Sequence, residues 1–164
     1  MKHIASVLAS FIFLGSSLCF QSCSKFKEKE VEGCRDYEAI NYNSSATVDN
    51  GSCQYQSDRY AGQYLATDTS SYFNASTGNT VYTYQTFSFS ISRTGKSTVA
   101  LNNFSGCFSL SGSVTSGTLY LTNQSNPCGI QLFVGSLNEN KLQYTYKHFS
   151  GELRTVNGTA IKQN

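Results

Sequence analysis

Residues 80–92 alternate strictly, and that alternation constrains this chain more than any other feature. Val81, Phe87, Phe89 and Ile91 fall on one side of an extended backbone there, and Tyr82, Tyr84, Ser88 and Ser90 on the other. A side-chain period of two belongs to a strand with one buried face; apolar residues of a helix recur every three to four positions. No segment of useful length shows the helical period. Further strand-like stretches lie at residues 60–67, 98–102, 107–110, 118–122, 129–134, 141–149 and 153–161. Turn chemistry punctuates them at Thr94-Gly95, Asn102-Asn103, Ser111-Gly112-Ser113, Ser116-Gly117, Asn138-Glu139-Asn140 and Asn157-Gly158.

Eight strands in about 105 residues predict an all-β domain over residues 57–164, a small antiparallel eight-stranded barrel or a sandwich. Short sequential links favour an up-and-down order. The expected core includes Phe87, Phe89, Phe108 and Phe133. Aromatic residues make up 13% of the chain, which argues against disorder, since a chain unable to bury a core is poor in them. The net charge of +2 is too small to attract nucleic acid through field alone.

The amino terminus carries a different signal. Lys2 precedes a mostly apolar, small-residue stretch from residue 4 to 18, the pattern of a secretory signal peptide over residues 1–22. The stretch is shorter than the roughly 20 apolar residues of a spanning helix. Phe20-Gln21-Ser22-Cys23-Ser24-Lys25 follows. This resembles the looser lipobox of lipoproteins from Bacteroidota-type Gram-negative bacteria. The resemblance implies that Cys23 becomes the first mature residue and carries lipid. It places the protein on the outer membrane, facing the periplasm or the cell surface, with the membrane as its first partner.

Cysteine parity agrees. The six cysteines are Cys19, Cys23, Cys34, Cys53, Cys107 and Cys128. Removing Cys19 with the signal and giving Cys23 to lipid leaves four to pair in an oxidising compartment. Of the three pairings four cysteines allow, locality selects Cys34 with Cys53 and Cys107 with Cys128. Residues 23–32, rich in Lys and Glu, read as a solvated tether.

Residues 33–55 form the most specific stretch. Gly33, Cys34, Asp36, Ala39, Asn41-Tyr42-Asn43, Ala46-Thr47-Val48-Asp49, Gly51-Ser52-Cys53 and Tyr55 keep a demanding spacing. They resemble a short repeat of surface and secreted proteins from the same bacterial group, with Arg35 and Asn50 departing from its pattern. The segment is too polar for a core of its own, so a bridge between Cys34 and Cys53 is expected to close it as a small module. Tyr37, Ile40, Tyr42, Val48 and Tyr55 are the groups available to pack on that bridge. Asp36, Asn41, Asn43 and Asp49 are oxygen ligands of the kind Ca²⁺ takes. Asx-turns that satisfy loop backbone are the preferred reading of them, because no EF-hand spacing is present.

Nothing in the chain spells catalysis. His148 is the only histidine beyond the signal and alternates with Leu142, Tyr144 and Tyr146, as a barrel-lining side chain does. Asp58, Asp68, Glu139 and Glu152 are unpaired in sequence and assigned to loops. No Gly-x-Ser-x-Gly elbow occurs, and Gly95-Lys96-Ser97 lacks the earlier glycine of a phosphate loop. The expectation is a non-enzymatic protein that needs no cofactor. Tyr82, Tyr84, Tyr144, Tyr146 and His148 are its candidate ligand-facing residues, because tyrosine on a rigid sheet offers area and a hydroxyl at low entropic cost. Gly62, Tyr64 and the closing Gly158-Thr159-Ala160-Ile161-Lys162 resemble small calycin-like, lipocalin-type barrels of bacterial lipoproteins. That resemblance implies an interior cavity; with the tyrosine-bearing faces, the expected partner is a small hydrophobic ligand, a glycan or a surface protein. The competing expectation is a structural or adhesive protein with a solid core.

Overall fold

The computed structural model describes residues 29–121, 128–149 and 151–163. The signal segment with Cys19, the lipidation candidate Cys23 and the first part of the tether lie outside the described residues. The chain from Val31 onward belongs to one compact unit.

That unit opens with two short strands, β1 (Glu32–Gly33) and β2 (Val48–Asp49), paired in parallel, and a one-turn helix α1 (Gln56–Tyr60). Eight longer strands follow: β3 (Gly62–Asn74), β4 (Asn79–Arg93), β5 (Thr98–Phe104), β6 (Cys107–Thr115), β7 (Thr118–Leu121), β8 (Ile130–Asn138), β9 (Lys141–Phe149) and β10 (Leu153–Gln163). Each pairs antiparallel with the next, and β10 returns to β3, so the sheet closes as an eight-stranded up-and-down barrel. Closure removes most of the free edges that a flat sheet would expose.

The alternation of β4 points as its sequence requires. Phe89 and Ile91 are buried and Phe87 packs against the core, while Tyr82 and Tyr84 face outward. Phe104 on β5 is the hub of the interior. Its ring lies 5.0 to 5.5 Å from those of Phe87, Phe89, Phe133, Tyr144 and Tyr146, mostly edge to face. Such pairs add about 0.5–1.5 kcal/mol each beyond the area they bury. The middle of the barrel is filled with rings.

Several sequence expectations are corrected. Phe108 is 88% exposed rather than part of the core, because Cys107 beside it turns inward and the next residue of a strand must face out. Ser111-Gly112-Ser113 is no turn but the middle of β6. Gly112 is there for room: a Cβ would press on Leu119, Val99 and the Tyr120 carbonyl. Asn102-Asn103 lies within β5, and the chain reverses instead at Ser105-Gly106, both at positive φ. Residues 56–60 form a helical turn that periodicity did not announce, held by the Tyr55 N–H donating to Asp58 Oδ2 at 2.7 Å. Asp68 sits inside β3, because that strand runs on to Asn74 rather than ending near residue 67.

Both disulfides form as the local pairing predicts, Cys34–Cys53 and Cys107–Cys128. The second ties the β5–β6 turn to the start of β8. The first closes the small module, whose own cluster is only Cys34, Ala39, Tyr55 and part of Cys53. Tyr37, Ile40, Tyr42 and Val48 are exposed rather than packed on the bridge, since backbone and Asx hydrogen bonds, not apolar contact, fold this loop.

Candidate functional site

The two ends of the barrel differ. At one end α1 acts as a plug: the Tyr60 hydroxyl donates to the Gly117 carbonyl at 2.6 Å, and the Tyr64 hydroxyl donates to the Tyr60 carbonyl at 2.7 Å. Ser57 Oγ lies 2.9 and 2.8 Å from the carbonyls of Gly95 and Lys96, which fixes the helix to the β4–β5 turn.

The small module attaches at this same end through charge. Lys96 Nζ reaches Asp36 Oδ2 at 2.7 Å and Glu38 Oε2 at 2.6 Å. Tyr55 donates its hydroxyl to the same Asp36 oxygen, and its ring lies 4.7 Å from the Arg93 guanidinium carbon. The Lys96 ammonium first, then the Tyr55 hydroxyl and the Glu38 N–H, hold the Asp36 carboxyl down at about 2. The calcium-type oxygens are engaged: Asp36, Asn43 and Asp49 each accept a backbone N–H two residues on. Asn41 bonds the backbone of Ser52 and Gln54. These are the Asx-turns of a tight loop. Among the described residues no group of three His, Cys, Asp or Glu side chains is placed to hold a metal ion.

The opposite end is open and polar. A cleft of about 220 Å³ there is lined by Asp68 and Ser70 of β3, Thr83, Tyr84 and Gln85 of β4, Ser105 of the β5–β6 turn, Tyr146 and His148 of β9, and Arg154 of β10. Antiparallel register brings them together: Asp68 lies opposite Gln85, Ser70 opposite Thr83, and His148 opposite Arg154. The Ser70 and Thr83 hydroxyls bond each other across the strands. The Arg154 guanidinium lies 4.4 Å over the Tyr72 ring, and its buried Nε finds no acceptor among the described residues.

Asp68 forms the floor. Only 4% exposed, it accepts the hydroxyl of Tyr144 at 2.5 Å on one oxygen and that of Tyr146 at 2.7 Å on the other. Ser105 Oγ lies 3.1 Å from the Tyr146 hydroxyl and extends the chain of polar contacts toward the rim. Burial pushes the Asp68 carboxyl up, and the two tyrosine hydroxyls partly offset this by stabilising its charged form. Burial first, then the neighbouring carboxylate, pushes both tyrosines up, so they remain proton donors at any physiological pH.

The candidate residues therefore divide between two faces. Tyr144, Tyr146 and His148 point into the barrel, the first two buried and the third half-buried at the mouth; Tyr82 stands on the outer wall, and Tyr84, also exposed, borders the mouth cleft at its rim. Asp68 and Arg154 were missed. A lone Asp among inward-facing Tyr64 and Ala66 on an alternating strand is the signal that could have found the first. An open groove of about 630 Å³ also crosses the outer wall, past Thr67, Thr69, Gln143, Thr145 and Asn157. It is larger than the mouth cleft but shallow, whereas the mouth gathers a buried acid, a phenol and Arg154 around one cleft.

Comparison with known protein families, curated proteins and solved structures finds no match to this chain.

Proposed function

We propose that the chain is a non-enzymatic, lipid-anchored protein of the bacterial cell envelope that binds a small polar ligand or the end of a glycan at the barrel mouth. The observation that carries this reading is the polar cleft above Asp68, in a barrel otherwise filled with rings. Filled interiors leave no room for the long apolar ligand that a lipocalin-like cavity implies. A cleft of about 220 Å³ suits a hydroxyl-bearing molecule, with Gln85, His148 and Arg154 as directional partners. The anchor rests on the Cys23 motif and on cysteine parity, which the four paired cysteines support.

The same filled core also favours a second reading, a solid structural or adhesive domain. Calorimetric titration of the purified full chain against a panel of mono- and oligosaccharides separates the two. Binding that Arg154→Ala and His148→Ala each weaken at least tenfold supports the mouth. No binding across the panel, with the variants indistinguishable from the parent, supports the scaffold. Anchoring is read separately: Cys23→Ala is expected to release the protein from the detergent phase or leave its precursor uncut.

A further inference from the structure

Strand β4 leaves one edge bare. On one side β3 pairs with it from Asn79 to Ile91, but on the other β5 reaches only Ser90, Ile91, Ser92 and Arg93. Among the described residues no strand lies beside residues 79–87 on that second side. Unpaired N–H and C=O groups in a row are a template for association, so exposed edges are normally blunted by charge, proline or a bulge. Residues 79–92 contain no charged residue, proline or glycine, and the register with β3 runs unbroken from 79 to 91. This edge is unguarded.

Its sequence says what would fit. Thr80-Val81-Tyr82-Thr83-Tyr84-Gln85-Thr86 reads Thr-x-Tyr-Thr-Tyr-x-Thr in either direction about Thr83. We propose that this edge is the two-fold interface of a homodimer, in which β4 of one copy pairs antiparallel with β4 of another about Thr83. A two-fold axis sets residues equidistant from Thr83 opposite each other. Thr80 then faces Thr86, and Tyr82 faces Tyr84, of the two copies. Aromatic and Thr–Thr cross-strand pairs are among the favourable ones, and an uncharged strand meets no like charge in its own copy. Tyr82 and Tyr84 are 59% and 75% exposed in the single chain, so both are available. The window also fits in length, because the β3–β4 turn bounds it at one end and the pairing with β5 at the other. The pairing joins two barrels into one continuous sheet and sets the second copy beside the mouth, whose wall includes Thr83 and Gln85.

Disulfide trapping of the full chain in detergent extract tests this. Thr83→Cys is expected to give, on mild oxidation, a reducible species of twice the chain mass whose crosslink joins position 83 to position 83. Thr67→Cys, on a strand paired along both edges, is expected to give none. The Tyr82→Glu/Tyr84→Glu and Tyr82→Lys/Tyr84→Lys double variants change only exposed positions. Each is expected to self-associate at least tenfold more weakly by light scattering, and a mixture of the two is expected to recover association, because the register sets Glu against Lys. A parent chain that is monomeric overturns the proposal, as does a dimer without the position-83 crosslink. A dimer that survives both double variants, or a mixture that fails to recover, overturns it too.

Discussion

Tyr144 of β9 donates its hydroxyl to Asp68 of β3 at 2.5 Å over the intervening strand β10, and its ring passes directly over Gly158 of that strand. A Cβ at position 158 would overlap both the ring and the Asp68 oxygen. Gly158→Ala is therefore expected to destabilise the barrel by about 1–3 kcal/mol, the usual cost of overpacking. Urea unfolding followed by tyrosine fluorescence measures it; an unchanged midpoint would show that the ring has room to move.

The Asp68 carboxyl titrates above the ordinary Asp value of 3.8 in the folded chain. Between 3.8 and that higher value the native state holds more protons than the unfolded one, so this group's contribution to stability falls as pH rises through the window and is level beyond it. Asp68→Asn is expected to remove that fall. Comparing urea midpoints of the two proteins from acid to neutral pH reads the slope directly. Equal slopes would place Asp68 in contact with water.

Tyr146→Phe strips one hydroxyl from the buried carboxylate and leaves that oxygen short of a donor. The expected cost is about 1–3 kcal/mol at pH values where the carboxylate is charged. It should shrink in acid once Asp68 is protonated, a dependence that simple loss of packing would not show.

Lys96 joins the small module to the β4–β5 turn, and Asp36 reports the contact. A carboxyl held at about 2 stabilises the docked module above 3.8, and that contribution is lost as pH falls from 3.8 toward 2. Lys96→Ala is expected to return the Asp36 titration toward its ordinary value and to speed amide exchange in residues 33–55. Carboxyl NMR titration settles the first point. An Asp36 value that stays near 2 would assign the shift to Tyr55 instead.

The two bridges are expected to differ. Replacing Cys107 and Cys128 by Ser together frees the β5–β6 turn from β8 and should cost about 3 kcal/mol, the scale for a loop of about 20 residues. Replacing Cys34 and Cys53 should loosen residues 33–55 while the barrel keeps its transition, because the module meets the barrel through Lys96, Arg93 and Tyr55 rather than through a shared apolar core. Amide exchange mapped along the chain separates these outcomes; barrel strands opening with the first pair would join the two segments into one unit.

Alternation in the sequence carried the strands, short links their order, and cysteine parity with locality both disulfides, because each of these is a local property. It assigned the faces of β4 for the same reason. Strand ends were less legible: Gly112 and Asn103 read as turn residues, yet the barrel uses one for close packing against Leu119 and the other for a left-handed residue inside β5. A glycine's role depends on what lies across from it, and that neighbour is distant in sequence.

Side-chain period, turn chemistry and cysteine spacing act over a few residues, so an all-β chain with local bridges was legible before any fold was known. Closure of the sheet, Phe104 at its middle and the meeting of Asp68 with Tyr144 and Tyr146 beneath a polar mouth come from the three-dimensional fold. Those partners lie 76 and 78 residues apart along the chain. No local pattern fixes such a contact; barrel register does, by bringing β3 and β9 to either side of β10.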